Sequence, residues 1–263
     1  MRISIVTISF NQSRFIEHAI SSVINQSYQN TEYIVVDPGS TDGSRDIITR
    51  YKSEISKIIF KPDSGPADGL NAGFSEATGE IFGFLNSDDV LEPGALDEVS
   101  EFFKNNKHVD VVSGNSYIID IDGNIKRKFL SDPYIKELAI YNACNLSQAS
   151  TFFRSRAFKN TKGFNIKNKL TWDGELFLDM AFKGVKFARV NRIWSRFRVY
   201  ETSISGSGIS KNRYKQNFED IFIRIKGRKP SCLDSILFYF FKIFRKILNP
   251  IDSIERIKHG PIS

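Results

Sequence analysis

Two adjacent carboxylates follow the apolar run at residues 81–85, in the order Asn86-Ser87-Asp88-Asp89. A short, bulky apolar run of this kind is typical of a buried strand in a parallel sheet. Ligands of open α/β sheets bind beyond the carboxyl ends of the strands. Two carboxylates there repel each other unless a cation lies between them and a ligand. Asp88 and Asp89 therefore predict a divalent metal site for a diphosphate. The alternative is a turn that caps the helix expected near Pro93.

Three further β-α units precede this strand. Their strands begin near Ile3, Tyr33 and Ile58, and each runs into a polar cluster and then a helix. Four successive units predict an α/β fold with a doubly wound, mostly parallel sheet flanked by helices. Because every polar cluster falls at the carboxyl end of its strand, all four are expected to line one cleft.

Composition and the first polar cluster restrict the class of protein. The 263 residues are 41% hydrophobic and 25% charged, which suits one α/β domain with an extension. Cys144 and Cys232 are far apart and no Cys/His cluster occurs, so we expect no disulfide framework and a cytoplasmic location. The chain opens as a strand, and no signal segment is expected. No glycine occurs between Asn11 and Arg14, which disfavours a nicotinamide-binding Rossmann domain.

All of the net charge lies in the tail. Residues 211–263 hold 12 Lys and Arg against 5 Asp and Glu, and this difference equals the +7 of the whole chain. The aromatic-rich segment 236–248 carries three cations and is shorter than the roughly 20 residues of a membrane span. A basic chain also suits nucleic acid, but the tail contains no nucleic-acid module, so that partner is not expected.

A helix over the tail segment predicts a membrane partner. It would place cations on one face, beside an apolar face with Phe240, Ile243, Phe244 and Ile247. Such a helix suits the interface of an anionic membrane. The alternative is a helix packed on the catalytic domain with a solvated cationic edge. The three cations are Lys242, Arg245 and Lys246.

Six segments, taken in order, resemble those of family 2 glycosyltransferases, the inverting enzymes of the GT-A fold. The resemblance covers roughly the first 205 residues. It implies a GT-A domain at 1–205, with a nucleotide-sugar-binding half at 1–115 and an acceptor-side half at 116–205, followed by a basic helical C-terminal extension at 206–263. The segments are 6–11, 35–44, 62–68, 85–89, 148–154 and 172–176.

The resemblance also implies an activity. It is the transfer of a sugar from a nucleotide-sugar donor, expected to be a UDP-sugar, to a glycan or lipid-linked acceptor in surface polysaccharide biosynthesis. The expected cofactor is Mn²⁺ or Mg²⁺, and the expected location is the inner face of the cell membrane. Asn86 stands where many relatives have a third Asp, so the division of metal and sugar contacts between Asp88 and Asp89 stays open. The donor is expected against Thr7, Asn11, Asp37, Asp68, Asn71 and Asp88.

Asp173 is the expected general base of this reaction, by its position in the segment Trp172–Leu178. Partial desolvation in a cleft would raise its pKa and make it a usable base. The alternative is an N-cap of the following helix. Trp172 is the candidate for stacking on a sugar, and Glu175 is expected to support the helix start.

Two positions near the end of the domain are less defined. Tyr200 occupies roughly the place where the family often has a His that helps bind diphosphate or metal. The Gly/Ser stretch Ser203–Gly208 is expected to be a loop that closes over the donor, or a linker.

Two other classes remain as alternatives. A nucleotidyltransferase acting on sugar phosphates also uses paired carboxylates on an α/β sheet, but normally has a glycine-rich loop after its first strand. A non-catalytic nucleotide-binding protein would have no need for both the Asp88–Asp89 pair and Asp173.

Overall fold

The structure is a computed structural model in which residues 1–203, 206 and 211–260 are described. The strands are β1 (Ile3–Ile8), β2 (Thr31–Val36), β3 (Lys57–Ile59), β4 (Ile81–Asn86), β5 (Val90–Leu91), β6 (Val111–Ile119), β7 (Ile125–Phe129), β8 (Thr151–Arg154) and β9 (Phe187–Arg198). The helices are α1 (Ile16–Ile24), α2 (Ser44–Arg50), α3 (Pro66–Glu76), α4 (Ala95–Asn105), α5 (Lys136–Ala139), α6 (Ser155–Lys159), α7 (Trp172–Phe182), α8 (Lys211–Lys226), α9 (Cys232–Leu248) and α10 (Pro250–His259), with a 3₁₀ turn at Gln148–Ser150.

One mixed sheet organises the chain, in the order β3-β2-β1-β4-β8-β6-β9-β5, with β7 paired to β6. The four predicted β-α strands are mutually parallel neighbours. β8 joins antiparallel between β4 and β6, while β6 and β9 run parallel. The predicted α/β fold, with a doubly wound, mostly parallel sheet flanked by helices and with a helical C-terminal extension, is confirmed.

Helices cover both faces of the sheet, as a doubly wound fold requires. In β1 the side chains alternate, so that Ile3 and Ile5 pack with α1, α2 and α4 while Val6 packs with α3 and α7. Gly73 lets α3 approach β1 closely, because a Cβ there would lie 2.4 Å from Val6. The fold therefore has two cores, one on each side of the parallel strands.

Register brings the polar clusters together. Ile8 of β1 lies opposite Val36 of β2 and Asn86 of β4. The three strands therefore end at the same level, and the residues that follow them share one edge of the sheet.

The tail folds back on the domain as three helices. Ile221 and Phe222 of α8 pack with Ile140 and Leu178. At the start of α9, Asp234 accepts a hydrogen bond of 2.8 Å from the hydroxyl of Tyr141. α10 packs on β7. Within the described residues no helix is long and apolar enough to cross a membrane.

One prediction about the tail is wrong. Arg245 does not share an exposed face with Lys242 and Lys246. Its guanidinium lies 2.5 Å from Asp132 and 2.9 Å from Asp252, carboxylates that are 4% and 1% exposed. Because α9 packs on the domain through this face, Arg245 is an internal ion-pair partner and cannot reach a membrane surface.

Candidate active site

A cleft of about 1110 Å³ lies at the carboxyl edge of the parallel strands. Its walls come from the loops after β1, β2 and β4, from the segment 139–148 and from the start of α7. α8 adds Tyr214, Phe218 and Ile221. Residues beyond 205 therefore contribute to the cleft, although the predicted division at that point stays a prediction.

Asp88 and Asp89 occupy different places. Asp88 lines the cleft, and its carboxylate accepts a hydrogen bond of 3.1 Å from the hydroxyl of Tyr200. Asp89 is fully buried behind it, accepting from the backbone N–H of Arg198 at 2.9 Å and from the amide of Asn86 at 3.2 Å. The carboxylate that a ligand can meet from the cleft is that of Asp88, while Asp89 joins β4 to β9.

Electrostatics at this pair favour a cation. Burial raises the pKa of Asp88 despite the hydrogen bond from Tyr200. Burial and the neighbouring charge of Asp88 raise the pKa of Asp89 well above its usual range. Two carboxylates that resist ionisation this close together are stabilised in their charged form by a nearby cation. Among the described residues, no group of three His, Cys, Asp or Glu side chains could hold a metal alone.

The loops after β1 and β2 bind each other. Asn11, in the left-handed region with φ of 52°, accepts from the backbone N–H of Thr41 at 2.9 Å. Asp37 is fully buried and accepts from the backbone N–H groups of Gly39 and Ser40. Burial opposes the charge on Asp37, but these bonds, with that from the Arg45 side chain at 2.9 Å, outweigh it and lower its pKa.

Several predicted donor ligands therefore have protein partners already. Thr7 is fully buried and accepts a hydrogen bond of 3.1 Å from Tyr33. Asn71 makes two hydrogen bonds of 2.8 Å to the backbone of Phe164, and Asp68 accepts from Ser64. Direct contact of Thr7, Asp37, Asp68 and Asn71 with a donor stays a prediction that these bonds do not support. They hold the loops that form the cleft.

Asp63 and Ser9 line the cleft and were not identified from the sequence. The pKa of Asp63 is raised by burial. The hydroxyl of Ser9 is buried and has no hydrogen-bond partner in the described part of the chain. Both residues belong to polar clusters that also contain predicted ligands. Their membership of these clusters is the signal from which the sequence could have identified them.

Asp173 is the second residue of α7 and lines the cleft. Burial raises its pKa, and the backbone N–H groups of Gly174 and of Asp173 itself offset this in part. Its surroundings include Tyr134 and Tyr214, whose pKa values are raised by burial and further by the charge of Asp173. The helix begins one residue earlier, with Thr171 in the N-cap position, so the predicted alternative of an Asp173 cap does not apply.

Glu175 has a different environment from Asp173. It is 2% exposed, and its carboxylate accepts from the amides of Asn165 at 3.0 Å and Asn168 at 2.7 Å. The guanidinium of Arg224 on α8 lies 2.7 Å away. With these partners Glu175 joins α7 to α8 and to the loop before α7, and its support of the helix start stays a prediction.

Aromatic side chains form much of the cleft wall around Asp173, which is the predicted acceptor side. Trp172 is 7% exposed, and its indole N–H has no partner among the described residues. The buried hydroxyl of Tyr134 also has no hydrogen-bond partner among the described residues. The ring of Tyr134 stacks on that of Phe187, with the ring centroids 4.1 Å apart. Gln148 donates to the carbonyl of Phe84 at 2.6 Å and accepts from Asn86, so it ties this wall to the end of β4.

Tyr200 lies where the sequence places it, at the cleft beside Asp88. Its ring packs on Phe15 at 5.1 Å, and burial together with the charge of Asp88 raises its pKa to about 12. A neutral hydroxyl at this point donates a hydrogen bond and does not bind a metal as an imidazole would. Most of the stretch Ser203–Gly208, predicted to be a closing loop or a linker, lies outside the described residues, since 204, 205, 207 and 208 are not described.

A cleft at the carboxyl edge of a doubly wound sheet, lined by Asp88 with Asp89 buried behind it and by Asp173 at the start of α7, is the arrangement of a GT-A-type α/β protein. Residues 4–164 match the glycosyl transferase family 2 profile. The chain belongs to this family.

Known proteins agree with this assignment. The chain is 38% identical over 129 residues to an uncharacterised glycosyltransferase of Nostoc sp., covering 46% of this chain but only 40% of that protein. It is 28% identical over 217 residues to the Escherichia coli β-1,3-glucosyltransferase WfaP, covering 81% and 82% of the two chains. Staphylococcus aureus TarS 1–349, solved with UDP-GlcNAc, superposes with a TM-score of 0.70 at 19% identity over 98% of this chain and 74% of that one.

Proposed function

We propose that the protein transfers a sugar from a nucleotide-sugar donor, with inversion, to a glycan or lipid-linked acceptor in surface polysaccharide biosynthesis. One observation carries the proposal. Asp88, on the donor side, and Asp173, on the acceptor side, line the same cleft and both carry a raised pKa. A carboxylate with a raised pKa is suited to proton transfer, and a nucleotide-binding protein without activity would not need it.

The reaction requires a base opposite the leaving group. The Asp173 carboxylate takes the proton of the acceptor hydroxyl as that oxygen attacks the anomeric carbon. The bond from this carbon to the diphosphate oxygen breaks at the same time, and the nucleoside diphosphate leaves with the bonding electrons. Attack from the side opposite the leaving group inverts the anomeric configuration.

Asp88 and the neighbouring oxygen atoms fit Mn²⁺ or Mg²⁺. Hard oxygen ligands suit these ions, and Mg²⁺ usually binds through one or two carboxylates plus substrate phosphates. When bound, the ion would supply charge neutralisation for the departing diphosphate. Asp88 would hold it at the cleft surface, and buried Asp89 would keep the end of β4 in position against β9.

The relatives suggest the substrate class. The name of WfaP gives UDP-glucose as its donor and GlcNAc-diphosphoundecaprenol as its acceptor, and TarS was solved with UDP-GlcNAc. We extend this to a UDP-sugar donor and a lipid-linked acceptor here. The protein would then act at the inner face of the cell membrane, bound to its anionic surface through the tail.

A screen of sugar nucleotides by thermal unfolding tests the proposal. With Mn²⁺ or Mg²⁺ present, the correct donor at 100 times its Kd should raise the free energy of unfolding by about 2.7 kcal/mol. Without the ion the shift should fall sharply. If no sugar nucleotide stabilises the protein while sugar phosphates with a nucleoside triphosphate do, a nucleotidyltransferase is the better reading.

A further inference from the structure

The outer face of α9 and α10 carries an unusual row of exposed apolar side chains. Nine large residues are between 47% and 83% exposed there. They recur every three or four positions, so they lie along one side of both helices. We call them the apolar ridge: Leu233, Ile236, Tyr239, Phe240, Ile243, Ile247, Ile251, Ile254 and Ile257.

The opposite side of the two helices is attached to the domain. Asp234 receives hydrogen bonds from Tyr141 and Arg228, and Arg245 pairs with Asp132 and Asp252. Asn249, at the junction, is 5% exposed and donates to the carbonyl of Leu130 at 3.1 Å. Both helices are therefore held with the ridge outward, and nothing in the described chain covers it. Monomers rarely leave large contiguous apolar patches exposed, and the largest patch on a typical monomer, about 300–600 Å², is often functional.

The charges beside the ridge indicate which partner covers it. Of the three acidic residues in these helices, Asp234 and Asp252 are buried in ion pairs, and partly buried Glu255 accepts a hydrogen bond from the backbone N–H of Lys128 on β7. The lysines of the same helices, Lys242, Lys246 and Lys258, are exposed. A second copy of the chain, paired across a two-fold axis, would bring this positive edge against itself. An anionic bilayer offers an apolar interior and a negative headgroup layer, which complement the ridge and the lysines respectively.

We propose that the apolar ridge inserts into the interface of an anionic membrane, with α9 and α10 lying along its surface. Insertion of apolar side chains is the main contribution, and the three lysines add to it. This differs from adsorption through a cationic face, since Arg245 is internal. The inference deepens the proposed function in one respect: α9 is bonded to Tyr141, within the segment that forms the acceptor-side wall, so the cleft would have a fixed position relative to a lipid-linked acceptor.

A matched pair of double variants tests the ridge. Ile243→Glu with Ile247→Glu places two carboxylates on it. Ile125→Glu with Ile166→Glu places two at isoleucines that are 52% and 45% exposed and lie outside α9 and α10. Co-sedimentation uses vesicles of equal parts phosphatidylglycerol and phosphatidylcholine. The wild type and the control should pellet at low salt and at about 1 M salt, where the Debye length is only about 3 Å. The ridge variant should bind about tenfold more weakly or worse.

A fluorescent reporter separates insertion from adsorption and does not depend on the stability of the glutamate variant. Tyr239 is 68% exposed on the ridge, while native Trp172 and Trp194 are 7% and 1% exposed. In Tyr239→Trp, vesicles should shift the emission to the blue and protect it from acrylamide. Pelleting that disappears at high salt without a blue shift would mean adsorption by the lysines and overturn the inference.

Other results would also overturn it. The wild type could remain in the supernatant, or the ridge variant could pellet as well as the control. Sedimentation velocity without lipid could instead show a wild-type dimer that the ridge variant lacks, which would assign the surface to a second copy. Donor-induced thermal stabilisation is measured on the same variants. If the donor stabilises neither the wild type nor any variant, the proposed function is contradicted. If the donor stabilises the wild type but the wild type does not bind vesicles, only the membrane inference is contradicted.

Discussion

The substitution Asp173→Asn tests the position of the base, because it removes proton acceptance and leaves the local structure nearly unchanged. The amide oxygen of Asn can still accept from the backbone N–H groups at the start of α7. Burial disfavours the charged form of Asp173, so a neutral side chain of the same shape should keep the free energy of unfolding or raise it slightly.

The expected loss is in the chemical step. A missing general base typically costs about 10²–10⁴-fold in rate, which corresponds to about 2.7–5.4 kcal/mol in the activation free energy. Donor affinity should change little, since Asp173 lies on the acceptor-side wall. The measurements are release of nucleoside diphosphate in the presence of acceptor, and calorimetric titration of the donor with Mn²⁺.

Glu175→Gln is the matched control on the same helix. Gln would place an N–H₂ group near the amides of Asn165 and Asn168 and weaken the pair with Arg224, and unsatisfied buried groups cost about 1–3 kcal/mol. We expect lower stability with the base intact. Turnover of Asp173→Asn within tenfold of the wild type would refute the assignment of Asp173, and a catalytic loss confined to Glu175→Gln would move the base there.

Further expectations concern the metal site, the tail and the pH profile. Asp88→Asn should abolish metal-dependent donor binding in calorimetry while the protein stays folded; unchanged affinity would contradict the metal site. Asp89→Ala should lower the free energy of unfolding by about 1–3 kcal/mol in urea titration, because it leaves a buried backbone N–H without its acceptor; stability equal to the wild type would show that Asp89 has no such role. Arg245→Met should cost about 3–5 kcal/mol, because buried Asp132 loses its ion pair and buried Asp252 keeps only that with Arg256, whereas the exposed control Lys246→Met should stay within about 0.5 kcal/mol. If the two substitutions changed the free energy of unfolding equally, the ion pairs of Arg245 would not contribute to stability. Asp173 acts as a base only when ionised, and its pKa is raised, so kcat/KM should fall with decreasing pH through a midpoint above the ordinary Asp value of about 3.9. That acid limb should be missing in Asp173→Asn.

The amino-acid sequence determined the order of the elements and the edge at which chemistry takes place. Strands and helices alternate because their apolar residues recur with periods that each bury one face, and this pattern is local. Polar clusters after parallel strands must meet at one edge, so the place of Asp88 at the cleft could be predicted from the order of the elements, whereas that of Asp173, at the start of α7, was predicted from the family resemblance. The additional strand β5 could not be predicted. Two residues are too few to show an alternating pattern, and they form a strand only by pairing with β9.

Only the tertiary structure decided which polar side chains are free. Thr7 and Asn71 have the residue types of ligands, but Tyr33 and Phe164, which lie far from them in the sequence, already use their hydrogen-bonding groups. Adjacent Asp88 and Asp89 look equivalent in sequence, yet the turn between β4 and β5 directs one to the cleft and the other to β9. In the tail, helical period alone grouped Arg245 with the other cations. In the structure Arg245 pairs with the carboxylates of Asp132 and Asp252. That side of α9 therefore faces the domain, and the apolar ridge faces outward. Contacts between residues far apart in the sequence depend on how the elements pack, and no local pattern of residues contains that information.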